Sequence, residues 1–290
     1  AKLKNSYLIL DLMDEWPELF EKALPKKFKI FSFFPVIFFK RLRKKNYNSA
    51  DGVIALASNY YRLARSLAND TAKGTVIYNG VDCKEFDSWT KNTSLEDKLP
   101  QKGKNEIWCV YAGSLGIQGN NYDIPAILEA ALYFSKSNST VKFIVAGAGA
   151  GQDLILDFIR KNELQNLLFI GNLLPQQLAA LYRNCDIGMA VYGSGSNVDM
   201  PDKFYDYTVS GLAVISSLSG EIREFIETNR VGIIYKANDH FDFIQKLEFL
   251  LSDKEQLLDF KNRSRKLGKF FDQKTQYGKL QELIRKIQNH

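Results

Sequence analysis

The residues best suited to chemistry sit after short apolar runs, and the densest group is Met200–Ser217, MPDKFYDYTVSGLAVISS. Leu212–Ser217 is a Val- and Ile-containing run preceded by Gly211, the pattern of a helix that stops at glycine and leads into a buried strand. Pro201 suits the first turn of that helix. Lys203 and Asp206 then share one helical face near its N-terminus. A lysine there adds a cation to backbone donors, which suits a diphosphate. A carboxylate one turn on accepts two hydrogen bonds from vicinal hydroxyls such as those of a ribose. The plainer reading is a solvated ion pair worth roughly a few tenths of a kcal/mol. The flexible stretch Gly193–Val198 (GSGSNV) ahead of the helix favours ligand binding, because a surface pair needs no such loop.

Two further glycine loops follow apolar runs. Gly113, Ser114 and Gly116 lie in GSLG, where two glycines admit a ligand to the backbone and a following helix offers N–H groups to an anion. A tight turn explains the loop equally well. Gly147–Gly151 (GAGAG) has the look of a dinucleotide fingerprint, but the next strand ends Phe169, Ile170, Gly171, Asn172 with no carboxylate for a ribose, and the loop follows the second strand of its unit rather than the first. A nicotinamide or flavin role is therefore not expected.

The elements that position these loops alternate. Strand-like runs at Ile107–Ala112, Val141–Ala146, Leu167–Ile170, Ile187–Val191, Leu212–Ser217 and Val231–Tyr235 are separated by helical patterns and short loops, which predicts an α/β fold with a parallel sheet covered on both faces. Runs at Tyr7–Leu12, Ala50–Ala57 and Gly74–Tyr78, with a helix at Tyr60–Leu67, make half of another α/β unit. Asp82–Gln101 is polar and without period, and reads as a linker. Everything after Phe241 reads as helical. The expected domains are 1–90, 91–270 and a C-terminal helix at 271–290 that returns to the first. The chain begins at Ala1 and enters a strand within a few residues, which suggests an upstream part.

With 290 residues, 45% hydrophobic and 25% charged, the composition is that of a soluble globular protein rather than a disordered one. The net charge of +6 fits anionic partners. Cys83, Cys109 and Cys185 lack metal-ligand spacing and read as thiols in a reducing, cytoplasmic setting. No run is apolar and long enough for a membrane span, and Lys4 and Asn5 interrupt what would be a signal-peptide core.

In their order these segments resemble the retaining glycosyltransferases of family 4, which have the two-domain GT-B fold. DLMDEWPE (Asp11–Glu18) is similar to an RD-x-WP-E segment late in the family's N-terminal domain; ADGVIALAS and VIYNGVD are similar to segments closing that domain; YAGSLG resembles the first loop of the nucleotide-binding domain; and PDKFYDYTVSGLAVISS resembles the PxKxxxYxxxGxPVI form found in bacterial enzymes of polysaccharide synthesis. The resemblance implies a complete C-terminal and a partial N-terminal Rossmann-like domain.

It also implies roles. Asp206 falls on the second glutamate of the family's Glu-x7-Glu motif, which holds the ribose. Lys203 would contact the donor diphosphate, with Tyr205 beside it. Gly113, Ser114 and Gly116 would face phosphates or the transferred sugar, and Gly171 and Asn172 the base. The motif's first glutamate would be residue 198, here Val198; Asp199, next to it, is the expected substitute, so Lys203 and Asp199 are the catalytic candidates. Cations that many members carry in the first loop and following helix are replaced by Ser114 and Gln118, and neither His240 nor His290 matches the family's N-domain histidine; His240 reads as a surface residue. Metal-independent chemistry with no cofactor is expected. The donor would be a nucleotide-diphosphate sugar and the acceptor a saccharide or a lipid-linked molecule. A non-catalytic nucleotide-sugar-binding subunit and a GT-B sugar-nucleotide epimerase are the alternatives.

Residues 21–45 hold nine Lys or Arg against one Glu, more positive than the whole chain, with Phe28, Phe31, Phe33, Phe34, Phe38 and Phe39 between them. That composition suits the interface of an anionic membrane, placing the protein at the inner face of the plasma membrane. A core helix with a solvated basic end is the plainer reading. Nucleic acid is not expected, since no DNA- or RNA-binding motif accompanies it.

Overall fold

The computed structural model describes residues 6–14, 29–116, 121–138 and 140–289, with side chains from residue 35 onward in the first helix. Residues 15–18 of the Asp11–Glu18 segment, the front of the basic stretch with Phe28, and Gln118 and His290 lie outside the described residues. The chain divides into two compact units, one made of Ala1–Asn79 with Lys274–His290 and the other of Gly80–Gln273.

The first unit holds three parallel strands in the order β1 (Ile9–Leu12), β2 (Gly52–Ala55), β3 (Lys73–Val76). Val53 and Ala55 of the central strand are fully buried. Helix α1 (Lys29–Asn48) precedes β2, and α2 (Ser58–Leu67) joins β2 to β3 as a right-sized crossover for parallel strands. The last helix, α11 (Gln273–Gln288), belongs to this unit: the Gln276 side chain accepts from the Tyr78 amide at 3.3 Å.

The second unit opens with α3 (Cys83–Asn92), where a polar linker was expected. Asp82 caps it, accepting from the amides of Lys84 and Glu85, and Phe86 is buried. A good N-cap and one buried aromatic suffice for a short helix whose composition otherwise reads as loop. The unit's sheet has six parallel strands in the order β6 (Leu167–Phe169), β5 (Val141–Ala146), β4 (Ile107–Ala112), β7 (Ile187–Ala190), β8 (Ala213–Ser216), β9 (Gly232–Ile234). Between them run α4 (Ile124–Ser137), α5 (Gln152–Lys161), α6 (Pro175–Asn184), α7 (Asp202–Ser210) and α8 (Glu221–Asn229); α9 (His240–Ser252) and α10 (Lys254–Gly268) follow. This is the α/β, Rossmann-like arrangement that the alternating pattern predicts. Cys109, Val110, Phe143, Ile144, Val145, Ile187 and Ile215 have no exposed surface. Fully burying a side chain of this kind contributes about 1.5–3 kcal/mol, so the central strands anchor the unit.

The strand order reverses between β4 and β7, and a doubly wound sheet offers its ligand crevice at such a switch, beyond the carboxyl ends of the strands. Here β4 and β7 pair only at Cys109↔Ile187 and Val110↔Gly188. Past that point the Tyr207 hydroxyl of α7 stands between the strands, within reach of the carbonyls of Val110 (3.4 Å) and Met189 (3.3 Å). Gly188 makes room for it: a Cβ there would lie 2.4 Å from the Tyr207 ring. This contact fixes the rotation of α7 and hence the direction of every side chain it carries.

Candidate active site

Helix α7 starts and stops as its sequence dictates. Pro201 stands immediately before it with φ −77°, and Asp202 in the first turn complements the positive end of the helix. At the other end Gly211 has φ +74°, and the Leu212 amide returns to the Tyr207 carbonyl at 2.9 Å, a left-handed glycine cap. Phe204, Tyr205, Tyr207 and Thr208 are buried.

Lys203 rises from the first turn toward the switch crevice. Its Nζ is buried and has no hydrogen-bond partner among the described residues, and a Cβ built on Gly113 would lie 3.3 Å from it. It sits over the Tyr111 ring, 4.0 Å from the centroid, with Tyr192 at 5.0 Å and Tyr122 at 5.5 Å. Burial pulls its ammonium down from 10.5 to about 7. Asp206, one turn on, is half-buried; desolvation first, and then the charge of Asp202, push its carboxyl up from 3.8 to about 7. It lies close enough to Tyr182 of α6 to raise that phenol. The two side chains share a helix face without pairing, so the surface ion-pair reading does not describe them.

Gly113 and Ser114 are exposed at the end of β4 and, with Ala112, Ala146, Gly147, Ala148, Asn172, Leu173 and Leu178, line a cleft of about 230 Å³. Gly116 lies beside Tyr122, whose ring would stand 3.5 Å from a Cβ at that position. Gly171 has φ +70° and its carbonyl accepts from Gly147 at 2.8 Å, which ties the Gly171–Asn172 loop to the cleft.

The GAGAG loop builds the wall of this cleft. The Gly113 amide donates to Ala146 (3.1 Å), Leu115 to Ala148 (3.0 Å) and Gly151 back to Leu115 (2.7 Å). Gly147, at φ +140°, is pressed so close that a Cβ would meet the Gly113 carbonyl oxygen at 1.9 Å. Its glycines serve loop-on-loop packing.

Tyr205 and Asp199 sit apart from this grouping. The Tyr205 ring packs on Phe271, centroids 4.9 Å apart, and belongs to an aromatic cluster with Phe204 and Phe225 rather than to the cleft. Asp199 is buried and accepts from the Glu221 amide at 2.9 Å, capping α8. His240 was expected at the surface; its Nε2 lies 3.0 Å from Asp123, a buried carboxylate that also accepts from the Tyr235 hydroxyl and the Asn238 amide. Asn238 in turn accepts from the Ser194 amide at 2.7 Å, steadying the loop ahead of α7. Sequence spacing gives no sign of this network, because its members come from the starts of α4 and α9 and from the loop after β7.

The family described as Glycosyl transferases group 1 matches residues 96–267, more than half of the chain. This chain belongs to the group 1 glycosyl transferases. The match covers β4 through α10, so the switch crevice, Lys203 and Asp206 all fall within the group 1 domain, and the protein is a transferase. Among solved structures it is similar to Anabaena HepE determined with UDP and glucose (16% identity, TM-score 0.69, covering 98% of this chain and 73% of that one). It is similar also to the sucrose-phosphate synthase of Thermosynechococcus elongatus (14%, 0.70, 99% and 70%) and to a glycosyltransferase from Rickettsia africae (17%, 0.66, 99% and 78%). At these identities the likeness is one of fold. The comparison with curated proteins gave no match.

Proposed function

We propose that this group 1 glycosyl transferase takes a nucleotide-diphosphate sugar as donor and moves the sugar, with retention, to a saccharide or lipid-linked acceptor in cell-surface polysaccharide synthesis. The observation that carries the reading is the Lys203 ammonium, buried without a hydrogen-bond partner among the described residues, beside Gly113 at the switch of a doubly wound sheet. A solvent-withdrawn cation without a counter-ion is costly in an empty protein and becomes favourable when an anion arrives. HepE, of similar fold, has been determined with UDP-glucose, which supports a donor of this class.

In this reading Lys203 meets the diphosphate and Asp206 receives the ribose hydroxyls. Gly113, Ser114 and Gly116 lie along the phosphates and the sugar, and Gly171 and Asn172 border the base. Retaining transfer requires the leaving diphosphate to be stabilised while the acceptor hydroxyl attacks from the same face. Fixed positive charge and oriented N–H groups lower that barrier; the proposal draws the charge from Lys203 rather than from a metal ion. Asp199 acts from behind, by holding α8 against the loop that leads to α7. Calorimetry with UDP and GDP on the wild type and on Asp206→Ala tests the ribose contact: unchanged affinity removes it. Transfer assayed with a panel of donors separates an enzyme from a non-catalytic subunit, which would bind and not turn over.

The exposed side of α1 extends the proposal to a surface. Phe38 (63% exposed) and Leu42 (42% exposed) stand at helical spacing beside exposed Arg41, Lys44 and Lys45, and the helix contains no acidic residue. No helix among the described residues is long and apolar enough to cross a membrane. Peripheral contact with anionic lipid fits this face. Flotation with phosphatidylglycerol liposomes is expected to be lost in Phe38→Ser/Leu42→Ser; retained binding would remove the proposal.

A further inference from the structure

We infer that Tyr111, Tyr122 and Tyr192 form an aromatic seat for the Lys203 ammonium, and that these tyrosines are positioning residues for the donor's diphosphate. The inference rests on the proposal that Lys203 meets the diphosphate.

Three rings from three separate segments converge on one nitrogen, at 4.0 Å (Tyr111), 5.0 Å (Tyr192) and 5.5 Å (Tyr122). Each is held by something other than the lysine. The Tyr111 hydroxyl donates to the Ser114 carbonyl at 2.6 Å, so the same residue floors the seat and shapes the Gly113 turn. The backbone of Tyr192 is bound twice to the Ser217 hydroxyl, which accepts from its amide at 2.8 Å and donates to its carbonyl at 2.7 Å. The Tyr122 and Tyr192 rings lie against one another, 5.4 Å apart and tilted 36°.

The choice of partner has a chemical consequence. A carboxylate beside Lys203 would cancel its charge and repel an arriving phosphate. Ring faces attract a cation through their quadrupole and leave the net charge in place. The seat thus holds the ammonium in a dry position with no carboxylate among the described residues to neutralise it, and Asp202 and Asp206 on the same helix form no ion pair with it.

The test separates ring electronics from packing. Tyr192 is replaced by Phe and then by mono-, di- and trifluorophenylalanine, which keep the ring and progressively weaken its face. UDP affinity is expected to fall stepwise by about tenfold over the series, with uridine affinity and melting temperature unchanged. UDP affinity that is constant across the series, or UDP and uridine falling together, overturns the inference. A second readout stands apart from donor binding. In the unliganded protein the Lys203 CεH₂ protons, assigned by difference against Lys203→Met, are expected upfield from ring currents and to move part of the way downfield in Tyr192→Leu, where the Tyr111 and Tyr122 rings remain. Ordinary lysine shifts would overturn the seat whatever UDP does. Upfield shifts with UDP binding indifferent to Lys203→Met would instead remove the diphosphate reading.

Discussion

Lys203 and Asp206 stand one turn apart on the same face of α7 and do not touch as an ion pair; the lysine goes to the face of Tyr111, 4.0 Å away, and its nitrogen meets no carboxylate among the described residues. An isolated helix would let them pair. The seating of Tyr207 over Gly188 sets the rotation of the helix against the sheet, which turns Lys203 onto the Tyr111 ring and leaves its ammonium buried, with Asp206 half-buried and the two unpaired.

That arrangement costs stability. Lys203→Met keeps the aliphatic stem and removes a buried ammonium, and the variant is expected to be more stable at pH 7 by about 1 kcal/mol or more. Urea unfolding measures this. A clear loss of stability would mean that the ammonium is a structural contact.

The same two groups give the stability a characteristic pH dependence. Asp206 titrates near 7 in the fold and 3.8 ordinarily, so between those values the folded state holds a proton that the unfolded chain has released, and stability falls as pH rises. Lys203 titrates near 7 in the fold and 10.5 ordinarily; from 7 to 10.5 the unfolded chain holds the extra proton, and stability rises with pH. Relative to Asp206→Asn/Lys203→Met, the wild type should therefore be least stable near pH 7. A difference that is flat from pH 4 to 10 would contradict both assignments.

The β/α alternation was legible because the buried strands are short apolar runs, several of them followed by glycine within a few residues, and the Lys203–Asp206 face because i,i+3 spacing survives in any helix. Tyr205 was placed at the donor by resemblance, yet residues two apart on a helix point to opposite sides, and Tyr205 joins Phe271. Helix α3 was hidden by its polar composition. The tyrosine seat was hidden by distance: positions 111, 122 and 192 meet only because the sheet places β4 beside β7. The GAGAG glycines were visible, but their close packing, Gly147 on the Gly113 backbone and Gly149 on that of Leu115, is set by the fold.

Gly147→Ala tests that packing. A methyl group would enter the 1.9 Å gap to the Gly113 oxygen at a positive φ, and the variant is expected to lose on the order of 3 kcal/mol. Thermal unfolding reads the loss; a melting temperature within error of the wild type would show that the two loops are not locked together.

Asp199 offers a sharper division between holding and reacting. Asp199→Ala removes the cap of α8 and should cost about 1 kcal/mol. Asp199→Asn keeps an acceptor for the Glu221 amide and should retain both stability and turnover. If Asp199→Asn folds normally and loses transfer activity, the carboxylate takes part in the reaction and the capping account is insufficient.

The most direct measurement compares UDP with uridine, by calorimetry, on the wild type and on Lys203→Met. If the seated ammonium receives the diphosphate, the wild type prefers UDP strongly, and Lys203→Met loses that preference by about 100-fold while uridine binds as before. An unaltered UDP-to-uridine ratio in Lys203→Met would contradict the account.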